Sequence, residues 1–186
     1  MKLIECVPNF SEGADLSVIK SITATIEETN GVKLLDVDPG KDTNRTVVTF
    51  IGDPENVISA AFKAIKEASL LIDMSRQTGE HPRMGATDVC PLIPVSNVSM
   101  DECVRYSHIL ARKVGNELKI PIYLYEESSD IPYRKNLSDI RRGEYEEMEN
   151  KMQSNRWKPD YGPNKFNSKA GVTAIGARNF LIAYNI

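Results

Sequence analysis

The 186-residue chain has few of the residues that build metal centres and disulfide frameworks. It contains three cysteines (Cys6, Cys90 and Cys103) and only two histidines, and no Cys-x-x-Cys pattern occurs. An odd number of widely spaced cysteines argues against a set of disulfides. Two distant histidines without a ligand motif argue against a metal site. We therefore expect free thiols and no bound metal.

Long apolar runs and an excess of positive charge are also missing. No apolar run reaches the roughly 18 residues that a membrane-spanning helix needs, and Glu5 interrupts the start of any signal peptide. The net charge of −3 argues against nucleic acid as the main partner, because phosphate binding normally requires a basic excess. These features predict a cytoplasmic protein with neither a membrane nor a nucleic-acid partner.

The pattern of apolar residues predicts an α+β domain. Helices are predicted over residues 14–29, from Asp53-Pro54-Glu55 onward, and after the capping box that begins at Ser99. Strands are predicted over residues 2–8, 32–37, 45–52, 89–95, 121–125 and 180–186. The order β-α-β-β-α-β indicates a ferredoxin-like βαββαβ core, extended to a mixed sheet of about six strands with the helices packed on one face. Residues 126–156 are expected to be charged, solvated and locally helical at best.

The most informative stretch for chemistry is residues 79–94, which places His81 among charged residues, two glycines and a proline. An imidazole is suited to proton transfer near neutral pH, and a polar loop beside a buried strand is a common place for catalytic side chains. The alternative is a tight turn in which His81 only hydrogen-bonds a backbone carbonyl. The residues alone leave both interpretations open.

Other candidates have an equally ordinary alternative. Asp36 and Asp38 share one face of a strand end and could bind an amine, or they could simply form a turn. Arginines at loop and strand ends are suited to carboxylates, but single arginines are more often surface charges. The glycine-rich segment 160–178 lacks the Lys-Ser/Thr of a phosphate loop, so it is interpreted as a loop that lets a ligand approach the backbone.

Six motifs together identify a family. In order along the chain they are residues 5–13 (ECVPNFSEG), 43–47 (TNRTV), 71–76 (LIDMSR), 79–86 (GEHPRMGA), 88–91 (DVCP) and 176–178 (GAR). This set resembles the N-terminal subdomain of glutamate formimidoyltransferase, including the formiminotransferase part of formiminotransferase-cyclodeaminase. The resemblance covers nearly all 186 residues.

The resemblance implies a reaction and a set of site residues. The reaction is transfer of a formimidoyl group between N-formimidoyl-L-glutamate and tetrahydrofolate, a step of histidine degradation, with tetrahydrofolate as co-substrate and no metal. His81 matches the family's catalytic histidine, as a general acid/base. Arg45, Arg83 and Arg178 are nominated for the substrate carboxylates. The family's folate-binding segment corresponds to Gly162, Pro163, Asn164, Lys165, Phe166, Asn167, Ser168, Lys169, Ala170 and Gly171.

The resemblance also sets the expected domain organisation. Residues 1–186 are expected to form one formiminotransferase N-terminal subdomain, and the family's C-terminal subdomain, which supplies the other wall of the substrate tunnel, is absent from this sequence. A homodimer is expected, and a separate C-terminal subdomain is a possible partner. The alternative function is a non-catalytic, single-subdomain relative that acts as a folate-binding or protein-interaction module.

Overall fold

The computed structural model describes residues 1–181, which form one seven-stranded mixed sheet and five α-helices. The strands are β1 (Leu3–Cys6), β2 (Asn9–Phe10), β3 (Val32–Gly40), β4 (Arg45–Gly52), β5 (Thr87–Ser96), β6 (Ile122–Glu126) and β7 (Thr173–Ala177). The helices are α1 (Leu16–Glu27), α2 (Pro54–Leu71), α3 (Met100–Lys113), α4 (Leu137–Arg141) and α5 (Glu144–Met152). Within residues 1–181, no helix has the length and apolar character to cross a bilayer.

The first half of the chain forms the predicted ferredoxin-like core. Strands β1 and β2 both pair antiparallel with β4 on one side and with β5 on the other, so they are two pieces of one strand position interrupted at Val7 and Pro8. Strand β3 forms an antiparallel hairpin with β4 at the edge of the sheet. Seven strands therefore occupy six positions, which agrees with the predicted sheet of about six strands.

The helix starts follow from their caps. The side chain of Asp15 accepts the amides of Ser17 and Val18 at the start of α1, and Asp53 caps α2 just before Pro54. Ser99 and Glu102 form the predicted capping box of α3. Each cap satisfies amides that the first helical turn leaves without a partner.

The structure contains a strand, β7, that the sequence pattern did not predict. Strand β7 lies at Thr173–Ala177 and runs parallel to both β5 and β6. Phe180 and Leu181 are exposed and outside any strand, and residues 182–186 lie outside the described part of the chain. The prediction treated Gly176 as a loop residue. In fact it lies within β7, where a Cβ would come within 2.3 Å of the carbonyl oxygen of Tyr125.

Two hydrophobic cores cover opposite faces of the sheet. The three long helices, α1 to α3, pack on the first face, as predicted, against alternate strand residues such as Leu92 and Ile175. The intervening residues Val89 and Ala174 point to the second face, since strand side chains alternate. There they contact the short helices α4 and α5 through three buried apolar side chains: Ile140, Met148 and Met152.

The segment 126–156 therefore differs from its prediction as a solvated stretch. Its apolar residues are sparse among charges, so their pattern is weak, yet they cover the β5–β7–β6 half of the second face. The other half of that face, formed by β3, β4 and β1, is not covered by any described residue. Its side chains, including Val47, Thr49 and Ile51, are only half-buried.

Candidate active site

His81 lies in the loop before β5 and is held through both ring nitrogens. Its Nδ1 lies 2.7 Å from the carbonyl oxygen of Pro82, and its Nε2 lies 2.6 Å from Nη1 of Arg45. An arginine can only donate, so Nε2 must be the acceptor, and Nδ1 carries the hydrogen that is donated to Pro82. These two partners define a neutral imidazole of one tautomer.

The surroundings of His81 favour the neutral ring. Burial lowers the pKa of His81 below its ordinary value of 6.5, and the positive charges of Arg45 and Arg141 lower it further. The carbonyl of Pro82 and the charge of Asp88 oppose this shift without cancelling it. The ring is therefore unprotonated near neutral pH, which is the form that a general base requires.

A hydrogen-bonded latch holds the loop that carries His81 (residues 77–86, the histidine loop) against the first half of the chain. Asn44 accepts the amide of Gly13 at 2.9 Å and donates to the carbonyl of Thr78 at 2.8 Å. It also donates to the side chain of Gln77, which in turn donates to Glu12 at 3.0 Å. This latch explains why the 5–13 and 43–47 motifs accompany the histidine motif.

Arg83 is placed differently from the other nominated arginines. Its Nη1 lies 3.1 Å from a carboxylate oxygen of Glu144, and its Nη2 lies 2.8 Å both from a carboxylate oxygen of Glu146 and from the carbonyl oxygen of Gln77. Its side chain is only 11% exposed. Arg83 thus joins the histidine loop to α5, and its terminal nitrogens are engaged by protein groups.

Arg45 and Arg178 line one cavity beside His81, together with a third arginine, Arg141. The cavity has a volume of about 240 Å³, with Val89 and Pro91 of β5 on its floor. Its other lining residues are Asn9, Tyr125, Glu126, Asn136, Leu137 and Leu181. The structure therefore places Arg45 and Arg178 on one cavity, and His81 is joined to that cavity through its contact with Arg45.

Arg141 is the site residue that the sequence analysis missed. It lies at the end of α4. The helical spacing of Leu137 and Ile140 was the one sequence signal for this helix, and the charged neighbours obscure it. Its Nε and Nη2 both donate to Oδ2 of Asp88, the first of these at 2.9 Å. Asp88 is 1% exposed, and its Oδ1 accepts the amide of Met84 at 2.9 Å.

The end of the 162–171 segment is bonded to the base of the histidine loop. The amide of Ala86 donates to the carbonyl of Ala170 at 2.9 Å, and the amide of Val172 donates to the carbonyl of Met84 at 3.0 Å. Gly171 has a φ of +67°, and a Cβ there would lie 2.1 Å from that Met84 carbonyl oxygen. Only glycine fits this crossing of two backbones.

The outer part of the same segment lies along other cavities. Five of its residues, together with Lys119, line a cavity of about 460 Å³: Pro163, Lys165, Phe166, Asn167 and Ser168. Asn164 lines a neighbouring one with Lys165 and Phe166. Gly162 packs on the carbonyl of Ile120, and Nζ of Lys169 donates to the carbonyl of Leu70 at 2.7 Å. The structure joins residues 170–172 to the histidine loop, whereas residues 163–168 do not line the arginine cavity.

The remaining candidates have clear places. Asp36 and Asp38 pair with Thr49 and Val47, which puts both on the uncovered half of the second face. His108 is bonded through Nδ1 to the hydroxyl of Tyr161 at 2.9 Å. Among residues 1–181, no group of three or more histidines, cysteines and acidic residues is arranged to hold a metal ion.

Another cavity of about 460 Å³ lies beside Lys151 and Trp157. The ammonium group of Lys151 at this cavity is already bound by other groups of the protein. Lys151 donates to the carbonyls of Asp139, Ile140 and Arg142 and lies 4.0 Å from the centre of the Trp157 ring. This arrangement fixes the end of α4, and thereby the position of Arg141, rather than forming a site.

Comparison with known proteins identifies related sequences. The family model described as the formiminotransferase domain, N-terminal subdomain, matches residues 3–178. Over 185 residues, the chain is 55% identical to the formimidoyltransferase-cyclodeaminase of Dictyostelium discoideum and 52% identical to that of Gallus gallus, covering all of this chain and 34% of each relative. It is 47% identical over 185 residues to the glutamate formimidoyltransferase of Streptococcus pyogenes serotype M1, of which it covers 62%.

Proposed function

The chain belongs to the formiminotransferase family, whose N-terminal subdomain model it matches, and from this membership we propose that it takes part in folate-dependent formimidoyl transfer. The substrates are N-formimidoyl-L-glutamate and tetrahydrofolate. The observation that carries the proposal is the neutral His81, which lies beside a cavity lined by three arginines.

The proposed chemistry needs a proton carrier more than anything else. An amine nitrogen of tetrahydrofolate attacks the amidine carbon of the donor, and a tetrahedral intermediate forms. His81 Nε2 takes a proton from the attacking nitrogen and returns one to the departing amine of glutamate. The Nδ1 bond to Pro82 keeps the ring oriented throughout. Folate enters here as a co-substrate.

The anionic ends of both substrates fit the arginine cavity. Glutamate and folate carry carboxylates, and guanidinium groups bind carboxylates in a planar, paired geometry. Arg45 and Arg178, joined by Arg141, are the proposed partners. Arg83 is assigned to holding the loop, because its terminal nitrogens bond to Glu144, Glu146 and Gln77.

Residues 162–171 are proposed to hold the folate. Their connection to the site is the backbone pairing of Ala170 and Val172 with the histidine loop. The outer residues line a cavity of their own, and a long ligand is proposed to extend along it away from His81. Substitutions in this outer part are therefore expected to raise the KM for tetrahydrofolate while leaving kcat largely unchanged.

The chain spans about a third of the length of the first two relatives and 62% of the bacterial one. We propose that residues 1–181 supply one wall of the site, that further sequence covers the half of the second face formed by β3, β4 and β1, and that the protein is a homodimer. Light scattering on the longest natural chain tests the dimer. The free, buried cysteines fit a reducing compartment and support a cytoplasmic location.

The test is a transfer assay with His81→Ala and a matched histidine control. The assay uses the longest natural protein that contains this sequence, and mass spectrometry measures the formimidoyl-tetrahydrofolate that it forms. His81→Ala should lose activity by roughly 10²–10⁴-fold, the usual contribution of a general acid/base. His108→Gln should retain activity, because His108 lies on α3, which packs on the opposite face of the sheet from the arginine cavity. Equal activity of His81→Ala and the unmodified protein would remove His81 from the mechanism.

A further inference from the structure

The lone pair that His81 needs for catalysis is occupied in this structure. Nη1 of Arg45 lies 2.6 Å from His81 Nε2 and 3.1 Å from Oδ1 of Asn9, so both of its hydrogens are donated. An imidazole nitrogen that already accepts a hydrogen bond from a guanidinium cannot take a proton from a substrate amine. Arg45 therefore blocks the base that the proposed reaction requires.

The same guanidinium has other donors, and Arg45 is one of the residues that line the cavity. Within residues 1–181, Nε and Nη2 of Arg45 have no hydrogen-bond partner, and Arg141 has Nη1 left after its two bonds to Asp88. Arg178 adds a third positive charge to the lining. Arg141 is paired with Asp88, and Glu126 is the acidic residue among those that line the cavity.

We propose that a substrate carboxylate entering this cavity pairs with Nε and Nη2 of Arg45 and draws Nη1 away from His81, so that the donor substrate itself exposes the catalytic base. The proposal rests on the proposed function for the identity of the donor. It involves only an exchange of hydrogen bonds, in which an arginine–imidazole bond is replaced by an arginine–carboxylate pair. No bond is broken and no proton is transferred at this step.

The exchange is favourable because the new partner is charged. A carboxylate accepts two parallel hydrogen bonds from a guanidinium, and its negative charge adds an attraction that the neutral imidazole does not provide. The exchange also gives specificity, since an amidine without a carboxylate leaves His81 blocked. Arg45 would then couple recognition of the donor to activation of the base.

A consequence can be measured at His81. The charged groups that face its ring are Arg45 from β4, Arg141 from α4 and Asp88 from β5, together with the Pro82 carbonyl. Arg45 and Arg141 lower the pKa of His81. A bound carboxylate compensates their positive charge, so the pKa of His81 should rise toward its ordinary value.

The experiment is ¹⁵N NMR of the two imidazoles in the 186-residue chain, with assignment through His108→Gln. Glutarate is the probe, because it is a dicarboxylate with the carbon chain of glutamate, and glutaramide is the uncharged control. Glutarate should raise the pKa of His81 and move its Nε2 resonance, while His108 stays unchanged. Glutaramide, or chloride at the same ionic strength, should have no effect. An unchanged His81 at high glutarate concentration would overturn the proposal.

Variants of Arg45 provide a second measurement. In Arg45→Met, the pKa of His81 should already be raised without glutarate, and glutarate should change it no further. Its glutarate affinity should fall by at least roughly tenfold, as expected when a charged hydrogen bond is lost. Arg45→Lys should show an intermediate response, and Arg105→Met on α3 should behave as the unmodified chain. A normal glutarate response in Arg45→Met would contradict the proposal.

The outcomes separate this inference from the proposed function. Transfer activity in the longest natural chain without a glutarate response at His81 removes the blocking role of Arg45 alone. A glutarate response without transfer activity removes formimidoyl transfer, and the carboxylate-driven release of His81 remains.

Discussion

Arg141 donates two hydrogen bonds to Oδ2 of Asp88, and this ion pair joins helix α4 to the start of strand β5 beside His81. The two side chains are 17% and 2% exposed, so the pair is largely withdrawn from water. Asp88 also accepts the amide of Met84 through Oδ1. One carboxylate thus fixes both the loop that carries the histidine and the helix that carries an arginine of the cavity.

The first prediction concerns this pair. Asp88→Asn should lower the free energy of unfolding by about 3 kcal/mol, because it leaves a largely buried guanidinium without its counter-charge. The double variant with Arg141→Met should recover part of the loss. Urea denaturation of both single variants and the double variant measures the coupling. If the loss in the double variant equals the sum of the losses in the two single variants, the pair contributes no coupling energy.

The second prediction concerns pH. Because the pKa of His81 is lowered and its neutral form is the base, the rate of transfer should stay constant from pH 8 down to about 6.5, the ordinary value for histidine, and fall only below it. The same depression means that His81 contributes stability above pH 6.5, which is lost as the pH falls through its lowered pKa. A pH–rate profile of kcat/KM measures the first effect. A profile that already falls between pH 8 and 7 would contradict the assignment.

The third prediction tests the crossing of the two loops. In Gly85→Ala the new Cβ would lie 2.1 Å from the carbonyl oxygen of Val172 and 2.7 Å from that of Ala170, and backbone atoms cannot easily move aside. We expect a loss of about 2–4 kcal/mol in stability, a range typical of severe local strain, and a lower melting temperature. Gly40→Ala is the control, since its Cβ would approach only the Thr43 hydroxyl closely, and that side chain can rotate. Equal melting temperatures for the two variants would argue against this close crossing of the two backbones.

The fourth prediction concerns the cysteines. All three are free and buried, and burial raises the pKa of Cys103 to about 11 and that of Cys6 well above its ordinary value. Thiols in this state react slowly, because the thiolate is the reactive form. Ellman's reagent should therefore detect no thiol in the native chain and three after denaturation. A thiol that reacts rapidly under native conditions would show that the strand or helix that carries it opens easily.

The core of the fold could be predicted because its signals are local. The caps at Asp53 and Ser99 and the apolar stripes of the helices define them, and the strand order of the first half follows from β-α-β-β-α-β. The second half depends on long-range packing. Ile140 and Met148 are isolated among charges, and only the sheet surface that they cover makes them apolar core residues.

The site divides in the same way. His81 was nominated because its motif is distinctive, and Arg45 and Arg178 because they flank strand ends; the structure places both arginines on one cavity. Arg83 was grouped with them by residue type. Its place is decided by two glutamates that are distant in sequence, Glu144 and Glu146, with which it forms ion pairs. Arg141 had no motif of its own, and its role depends on Asp88, which lies 53 positions away.

The pairing of Met84 and Ala86 with residues 170–172 also orders events during synthesis of the protein. The helices and the antiparallel strands of the first half depend on contacts within residues 1–96, which leave the ribosome early. The amide of Ala86 and the carbonyl of Met84 stay without these partners until Ala170 and Val172 have been added and β7 has entered the sheet between β5 and β6. In a nascent chain that stops short of this point, the loop that carries His81 lacks these backbone partners. Assembly of the candidate active site is thus a late step, which reports that the whole sheet has formed.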